Sequence, residues 1–273
     1  MGRPALRPVA PEEEALLDTA EVPAAVVCAI CGSPDCLGCS VEEEHTLPSG
    51  VIAIIPWERP MGSSWTRLWA TASASTLRAE SFFGPIPKGE YASALRFSVV
   101  CELMAVSSVA LAISAGVFAI APTMSIALLR DPHTRGLVLR LVMLGVPAFA
   151  ALLVVAHVVY GWAMDRGAVR AGARPHRVQA LRFGMYGTGL DLMTSPIGMA
   201  YTLLSQGPRA MLNLLPAAFE VPSIACRALL RRVYHLADEP AAKARRYGGI
   251  LIAILGLAMV IAVMTLLAIA MFV

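Results

Sequence analysis

Four cysteines near the beginning of the sequence have the type and the spacing of a metal-binding site. The stretch VCAICGSPDCLGCS holds two C-x-x-C pairs, whose thiols belong to Cys28, Cys31, Cys36 and Cys39. Two adjacent turns of this kind can bring four thiolates to one ion, which is a ligand set of structural zinc sites. The spacing therefore predicts a four-cysteine site for Zn2+. An iron–sulfur cluster, redox-active thiols and an incidental cluster of cysteines remain alternatives.

Two acidic residues, Asp191 and Glu220, lie within otherwise apolar segments and are candidates for an intramembrane polar site. Ionisable groups at membrane depth are costly and usually face a partner or a water-filled cavity. The two acids could therefore form a proton or cation relay. The alternative is that they are neutral or hydrogen-bonded where the third and fourth apolar segments pack through glycines between residues 184 and 198.

The overall composition is that of a membrane protein. Hydrophobic residues make up 57% of the chain and charged residues 15%, against about 45–50% and about 25% in ordinary soluble domains. The formal net charge is only +3, and the arginines lie between apolar runs rather than on one continuous face. This pattern argues against a nucleic-acid partner.

Five segments are apolar and long enough to cross a bilayer, which takes about 20 residues. They cover residues 99–121, 137–162, 183–204, 211–230 and 249–273. The sequence therefore predicts an all-α integral membrane protein with a five-helix transmembrane bundle. Prolines interrupt the third and fourth segments, so a re-entrant pair is an alternative to two kinked spans.

The distribution of positive charge predicts the orientation of these spans. Twelve of the fifteen Arg and Lys residues near the spans fall in the regions that share a side with the N-terminus. Because positive loops remain inside, we expect a cytoplasmic N-terminus and a C-terminus outside. Arginine greatly outnumbers lysine, as is typical of a GC-rich bacterial genome, and the predicted location is the bacterial inner membrane.

The chain divides into three predicted regions. Residues 1–56 form a cytoplasmic head with the four-cysteine motif, residues 57–98 an interfacial segment, and residues 99–273 the transmembrane domain. In the middle region, Trp65, Leu68, Trp69 and Ala72 recur at helical spacing. We interpret them as one face of a helix at headgroup level. A short helix packed on the protein itself is the alternative.

Three stretches carry a resemblance to a known family. LWAT at residues 68–71, ESFFGPIP at residues 80–87 and ALRFGMYGTGLDLMTSPIGMAY at residues 180–201 resemble the bacterial Yip-type membrane domain, which is related to eukaryotic Yip/Yif proteins. The resemblance covers residues 57–273 and leaves the cysteine-rich head unexplained. It implies a small all-helical membrane domain without an established enzymatic reaction, found among proteins that organise membranes or contact partner proteins.

These observations predict a protein that is not an enzyme, since the chain shows no phosphate-binding loop, H-E-x-x-H pair or G-x-S-x-G elbow. The first hypothesis is a membrane scaffold or membrane-organising protein. Its zinc-binding head would recruit a cytoplasmic protein, and the rest of the chain would contact the lipid bilayer. Association into a homo-oligomer is a further possibility. The alternative hypothesis is a small transporter or channel component that uses Asp191 and Glu220.

Overall fold

The structure, a computed structural model, describes residues 54–272, except for the side chains of residues 255 and 259–272. Every regular element in this range is helical, which confirms the predicted all-α class for this part of the chain. After a short 3-10 turn, the helices are α1 (Ser64–Leu77), α2 (Ala79–Phe83), α3 (Tyr91–Ile120), α4 (Pro122–Arg130), α5 (Pro132–Arg140), α6 (Val146–Arg170), α7 (Arg177–Thr194), α8 (Pro196–Gln206), α9 (Pro208–Arg232) and α10 (Asp238–Phe272).

The described residues contain two candidate membrane spans, not the five that the sequence predicted for the whole chain. They are α3 and the continuous helix Pro132–Arg170, in which a π-helical turn at Leu141–Gly145 joins α5 to α6. Both are long and apolar enough to cross a bilayer, and little of their most apolar stretches is buried within the protein. Length and composition thus give limited support to a membrane location.

The third apolar segment of the sequence is divided into two helices. Ser195 has an extended backbone, as expected for a residue that precedes proline. Its hydroxyl accepts a hydrogen bond from the backbone N–H of Gly198 at 3.4 Å and so caps α8. Consequently α7 ends at Thr194 and α8 begins at Pro196. The fourth apolar segment, in contrast, lies within the single helix α9, although Pro216 and Pro222 are inside it.

Helix α7 packs against both candidate spans. The N-terminal parts of α3 and α7 lie side by side, where the ring centroids of Phe97 and Tyr186 are 5.2 Å apart. Helix α6 runs antiparallel to α7, because Gly161 meets Ala180 and, one turn earlier in α6, the carbonyl of His157 meets Gly184. A Cβ atom added to Gly184 would lie 2.1 Å from that carbonyl oxygen. Only glycine therefore permits this approach of the two backbones.

The glycines of α7 do not form the predicted contact between the third and fourth apolar segments. Gly184 faces α6, while Gly189 faces Ser75 and Ala72 of α1. Gly198 contacts Leu192 and Met193, just before the break between α7 and α8. The sequence showed small residues that permit close packing, but it did not show which helix would use them.

Helix α1 packs on the protein with most of its aromatic face. Leu68 and Trp69 are each 2% exposed and Ala72 is fully buried, whereas Trp65 is 55% exposed. The Trp69 ring stacks on Tyr201 of α8, with centroids 4.0 Å apart. Three of the four residues thus belong to a helix packed on the protein itself. A headgroup position for Trp65 stays a prediction.

A buried ion pair ties the beginning of the described chain to α7. Arg182 is fully buried, and its guanidinium lies 2.8 Å from a carboxylate oxygen of Glu58. The second terminal nitrogen donates to the other carboxylate oxygen at 2.9 Å. The Tyr186 hydroxyl donates to the same carboxylate at 2.6 Å, and Arg182 also donates to the carbonyl of Glu90. The segments on both sides of α1 and α2 are therefore fixed to one helix.

The regions that follow α6 and α9 meet at the same end of the bundle. The buried carboxylate of Asp165 accepts hydrogen bonds from the backbone N–H of His176 at 2.9 Å and from the Tyr234 hydroxyl at 2.8 Å. Burial and the neighbouring Asp165 carboxylate raise the pKa of Tyr234, so its phenol stays protonated and donates. Arginine-rich segments 166–182 and 231–248 thus lie together.

Candidate functional site

Three ionisable side chains from three helices meet in the bundle: Glu102 of α3, His157 of α6 and Asp191 of α7. The Nε2 atom of His157 lies 2.7 Å from Oδ2 of Asp191 and 3.5 Å from Oε1 of Glu102. One potential ligand atom from each residue falls within 4.8 Å of the other two. We call these three residues the carboxylate–histidine cluster.

The cluster is buried on one side and accessible on the other. The Glu102 side chain is 0% exposed, while those of His157 and Asp191 are 23% and 39% exposed. Neither carboxylate oxygen of Glu102 has a hydrogen-bond partner among the described residues. Most buried polar groups are satisfied in native proteins. A buried carboxyl group without a donor therefore points to a missing proton, ion or water.

Helix packing places the three side chains at a common level. Helix α6 reaches α7 closely because Gly184 leaves room for the carbonyl of His157. Gly187, one turn further along α7, also has no side chain, and the Nδ1 atom of His157 would lie 3.5 Å from a Cβ at that position. The imidazole ring lies against α7 and points its Nε2 atom towards Asp191.

The chemistry available to this cluster is binding of a proton or a cation. Two carboxylates supply oxygen acceptors. The Nε2 atom of a neutral imidazole carries either a lone pair or an N–H donor, depending on the tautomer. A proton shared among the three groups, or a metal ion ligated by them, would each satisfy Glu102.

The structure separates the two acids that the sequence proposed as one polar site. Asp191 belongs to the carboxylate–histidine cluster, whereas Glu220 is exposed on α9 and is not a member. The proposed zinc ligands Cys28, Cys31, Cys36 and Cys39 lie outside the described residues.

Sequence reasoning did not identify Glu102 and His157 as partners of Asp191. The available signal was an ionisable residue inside each of three apolar segments. That signal did not show which of these residues meet, because 34 residues separate His157 from Asp191 along the chain and the two lie on different helices. Their proximity depends on how the helices are rotated about their axes.

Comparison with protein-family models, curated proteins and solved structures found no match for this chain.

Proposed function

We propose that this protein is a non-enzymatic integral membrane protein that binds a cation in its helical bundle and acts as a transporter or channel component. The observation that carries this proposal is Glu102, fully buried and without a hydrogen-bond partner among the described residues, beside the His157–Asp191 pair. Ionisable residues inside membrane helices are rare and commonly mark ion pathways or proton relays. In this proposal Asp191 acts together with Glu102 and His157, and not with Glu220 as the sequence suggested.

Cation flux in proteoliposomes tests the proposed function. The purified full chain is reconstituted with two entrapped dyes, one for protons and one for divalent metal ions, and a cation gradient is imposed. We expect flux above that of empty liposomes for at least one cation, and loss of that flux in Glu102→Gln. The matched control is Glu220→Gln, which neutralises an exposed acid outside the cluster and should leave the flux unchanged.

Two results would overturn the transport proposal. The first is that well-inserted protein carries neither cation above the empty-liposome rate. The second is that Glu102→Gln carries cations as fast as the unmodified protein. Insertion of each variant is checked by protease protection, so that loss of flux is not confused with loss of protein.

We also propose that the chain crosses the bacterial inner membrane five times, with the N-terminus in the cytoplasm and the C-terminus outside. Support for this sidedness comes from the contact of Asp165 with both His176 and Tyr234, since this brings the two most arginine-rich regions to the same end of the bundle. The positive-inside rule requires those regions to share a side. The same layout fits the Yip-type resemblance, which remains a proposal.

A second candidate function is that of a membrane scaffold whose four-cysteine head binds zinc and recruits a cytoplasmic partner. The specific observation in its favour is how firmly the chain is held where the described part begins. Ile55 is 4% exposed, and the indole N–H of Trp57 donates to the carbonyl of Ser93 at 2.9 Å. A cation flux that is the same in Glu102→Gln as in the unmodified protein would favour this scaffold over the transporter.

A further inference from the structure

We infer that Glu102, His157 and Asp191 form a binding site for one divalent first-row transition-metal ion of the Zn2+ or Mn2+ type. The inference rests on the proposed function, in which the carboxylate–histidine cluster binds a cation, and it specifies which cation that is. It assigns one nitrogen and two oxygen ligands, each from a different helix.

The distances within the cluster are close to those around a shared ion, with one contact, of 2.7 Å, as short as a direct hydrogen bond. Nitrogen and oxygen ligands lie about 2.0–2.2 Å from zinc, so neighbouring ligand atoms in a tetrahedral or octahedral shell are about 2.8–3.6 Å apart. The Nε2 atom of His157 is 2.7 Å from the Asp191 oxygen and 3.5 Å from the Glu102 oxygen. Small side-chain rotations would bring all three atoms to one centre.

The burial of Glu102 is a second observation that favours a bound proton or cation. Its side chain is 0% exposed, both of its oxygens lack a hydrogen-bond partner among the described residues, and one of them lies 3.5 Å from Nε2 of His157. A carboxylate in such a place needs a positive charge or a proton beside it. A divalent ion would neutralise the two carboxylates together, whereas the imidazole alone brings at most one positive charge.

The ligand types select among cations. Imidazole nitrogen suits Zn2+ and other transition metals, whereas Mg2+ and Ca2+ prefer sites made only of oxygen. Three protein ligands leave at least one coordination position open, as in exchangeable and catalytic sites rather than closed structural ones. The 39% exposure of the Asp191 side chain provides access to that open position.

The test is Zn2+ binding to the full-length protein in detergent, measured by isothermal titration calorimetry. The predicted zinc ligands of the N-terminal head would also bind Zn2+, so Cys28, Cys31, Cys36 and Cys39 are first replaced by serine. We expect one equivalent of Zn2+ to bind to this cysteine-to-serine protein, and Mg2+ to bind far more weakly. Loss of a direct ligand in Glu102→Gln or His157→Gln should weaken Zn2+ binding by at least about 100-fold, beyond the 10–100-fold typical of outer-shell partners.

Controls separate loss of the site from loss of the fold. Glu220→Gln changes an exposed acid on α9 and should bind Zn2+ with unchanged affinity. Glu102→Gln removes a buried charge at nearly constant shape and is expected to fold, which gel filtration checks. Zn2+ should raise the thermal unfolding midpoint of the cysteine-to-serine protein and of Glu220→Gln. It should leave that of Glu102→Gln unchanged.

Three results would overturn the metal site: no saturable Zn2+ binding, equal binding by folded Glu102→Gln or His157→Gln, or equally tight binding of Mg2+. These failures differ from failure of the proposed function. Cation flux in the presence of a chelator, without Zn2+ binding, would leave a proton-conducting protein and remove the metal site. Binding of Zn2+ without any flux would keep the site and remove the transport function.

Discussion

Arg182 and Glu102, two fully buried charged residues of the described part of the chain, have opposite surroundings. Both terminal nitrogens of Arg182 engage Glu58, and one also reaches a backbone carbonyl. Glu102, by contrast, has no hydrogen-bond partner among the described residues. Since a buried charge is stable only when it is compensated, Arg182 has the environment of a structural residue and Glu102 that of a binding residue.

Replacement of Arg182 should therefore destabilise the protein without directly removing the cluster. In Arg182→Met, the Glu58 carboxylate loses its charged partner and keeps the Tyr186 hydroxyl. Breaking a fully buried pair costs about 3–5 kcal/mol, and because Glu58 is 22% exposed we expect a loss in the free energy of unfolding near or below the lower end of that range. Chemical denaturation in detergent measures the loss. The control is Lys243→Met, because the paired side chains of Lys243 and Glu239 are 74% and 81% exposed. Exposed pairs contribute only about 0–1 kcal/mol.

A double variant gives a stricter test of the ion pair. Adding Glu58→Gln to Arg182→Met removes the uncompensated charge, so the double variant should lose less stability than the sum of the two single variants. Strict additivity would contradict a direct interaction between these side chains.

At the scale of helices, the contact between α6 and α7 depends on the absence of side chains. A Cβ atom at Gly184 would lie 2.1 Å from the carbonyl oxygen of His157, and one at Gly161 would lie 2.2 Å from that of Ala180. Backbone atoms cannot rotate away as a flexible side chain can. The same contact holds His157 against α7, so the packing of these helices and the geometry of the cluster are linked.

Gly184→Ala should force the two helices apart. We expect a lower thermal unfolding midpoint and, as the imidazole moves from Asp191, weaker Zn2+ binding in the cysteine-to-serine protein. The matched control is Gly116→Ala, because a Cβ atom at Gly116 of α3 would meet no atom within 4 Å. Alanine is favoured over glycine within a helix by about 0.5–1 kcal/mol. The control should therefore be neutral or slightly stabilising, and an equal loss in both variants would contradict the packing argument.

At the scale of the whole molecule, the break at Ser195 bears on the five proposed membrane crossings. The break at Ser195 gives α7 a length of 18 residues and α8 a length of 11. At 1.5 Å per residue, α7 alone is about 27 Å long, slightly less than the roughly 30 Å hydrocarbon core. Complete crossing therefore requires α8 to continue in the direction of α7, whereas a re-entrant pair would result if α8 turned back.

Single-cysteine labelling distinguishes these topologies. In a cysteine-free background, positions 173 and 242 should react only from the cytoplasm, and position 131 and the C-terminus only from outside. The decisive position is Gln206, which ends α8. If the third and fourth segments both span, a thiol there reacts from outside, because one crossing separates it from the arginine-rich region at 166–182.

Other labelling patterns would reject specific parts of the topology. Reaction at position 206 from the cytoplasm would reject five crossings and favour the re-entrant pair. Reaction of the C-terminus from the cytoplasm would require an even number of crossings and contradict the charge argument.

Local properties of the sequence determined the helical class and several helix boundaries. Apolar runs of sufficient length predicted α3 and the helix that contains α6, because hydrophobicity along a segment needs no knowledge of its neighbours. Proline likewise predicted an interruption in the third apolar segment, and the structure places the break at Ser195. The four-cysteine motif is equally local, and its metal remains a prediction.

The tertiary structure alone decided which residues share a site. A membrane helix that is apolar around its whole circumference shows no hydrophobic face from which its rotation could be inferred. Rotation and partner choice were set instead by close packing at Gly184 and Gly189, which turned α7 towards α6 and α1. That packing brought Asp191 to His157, because backbone contacts between helices fix side-chain directions that periodicity within one helix cannot specify.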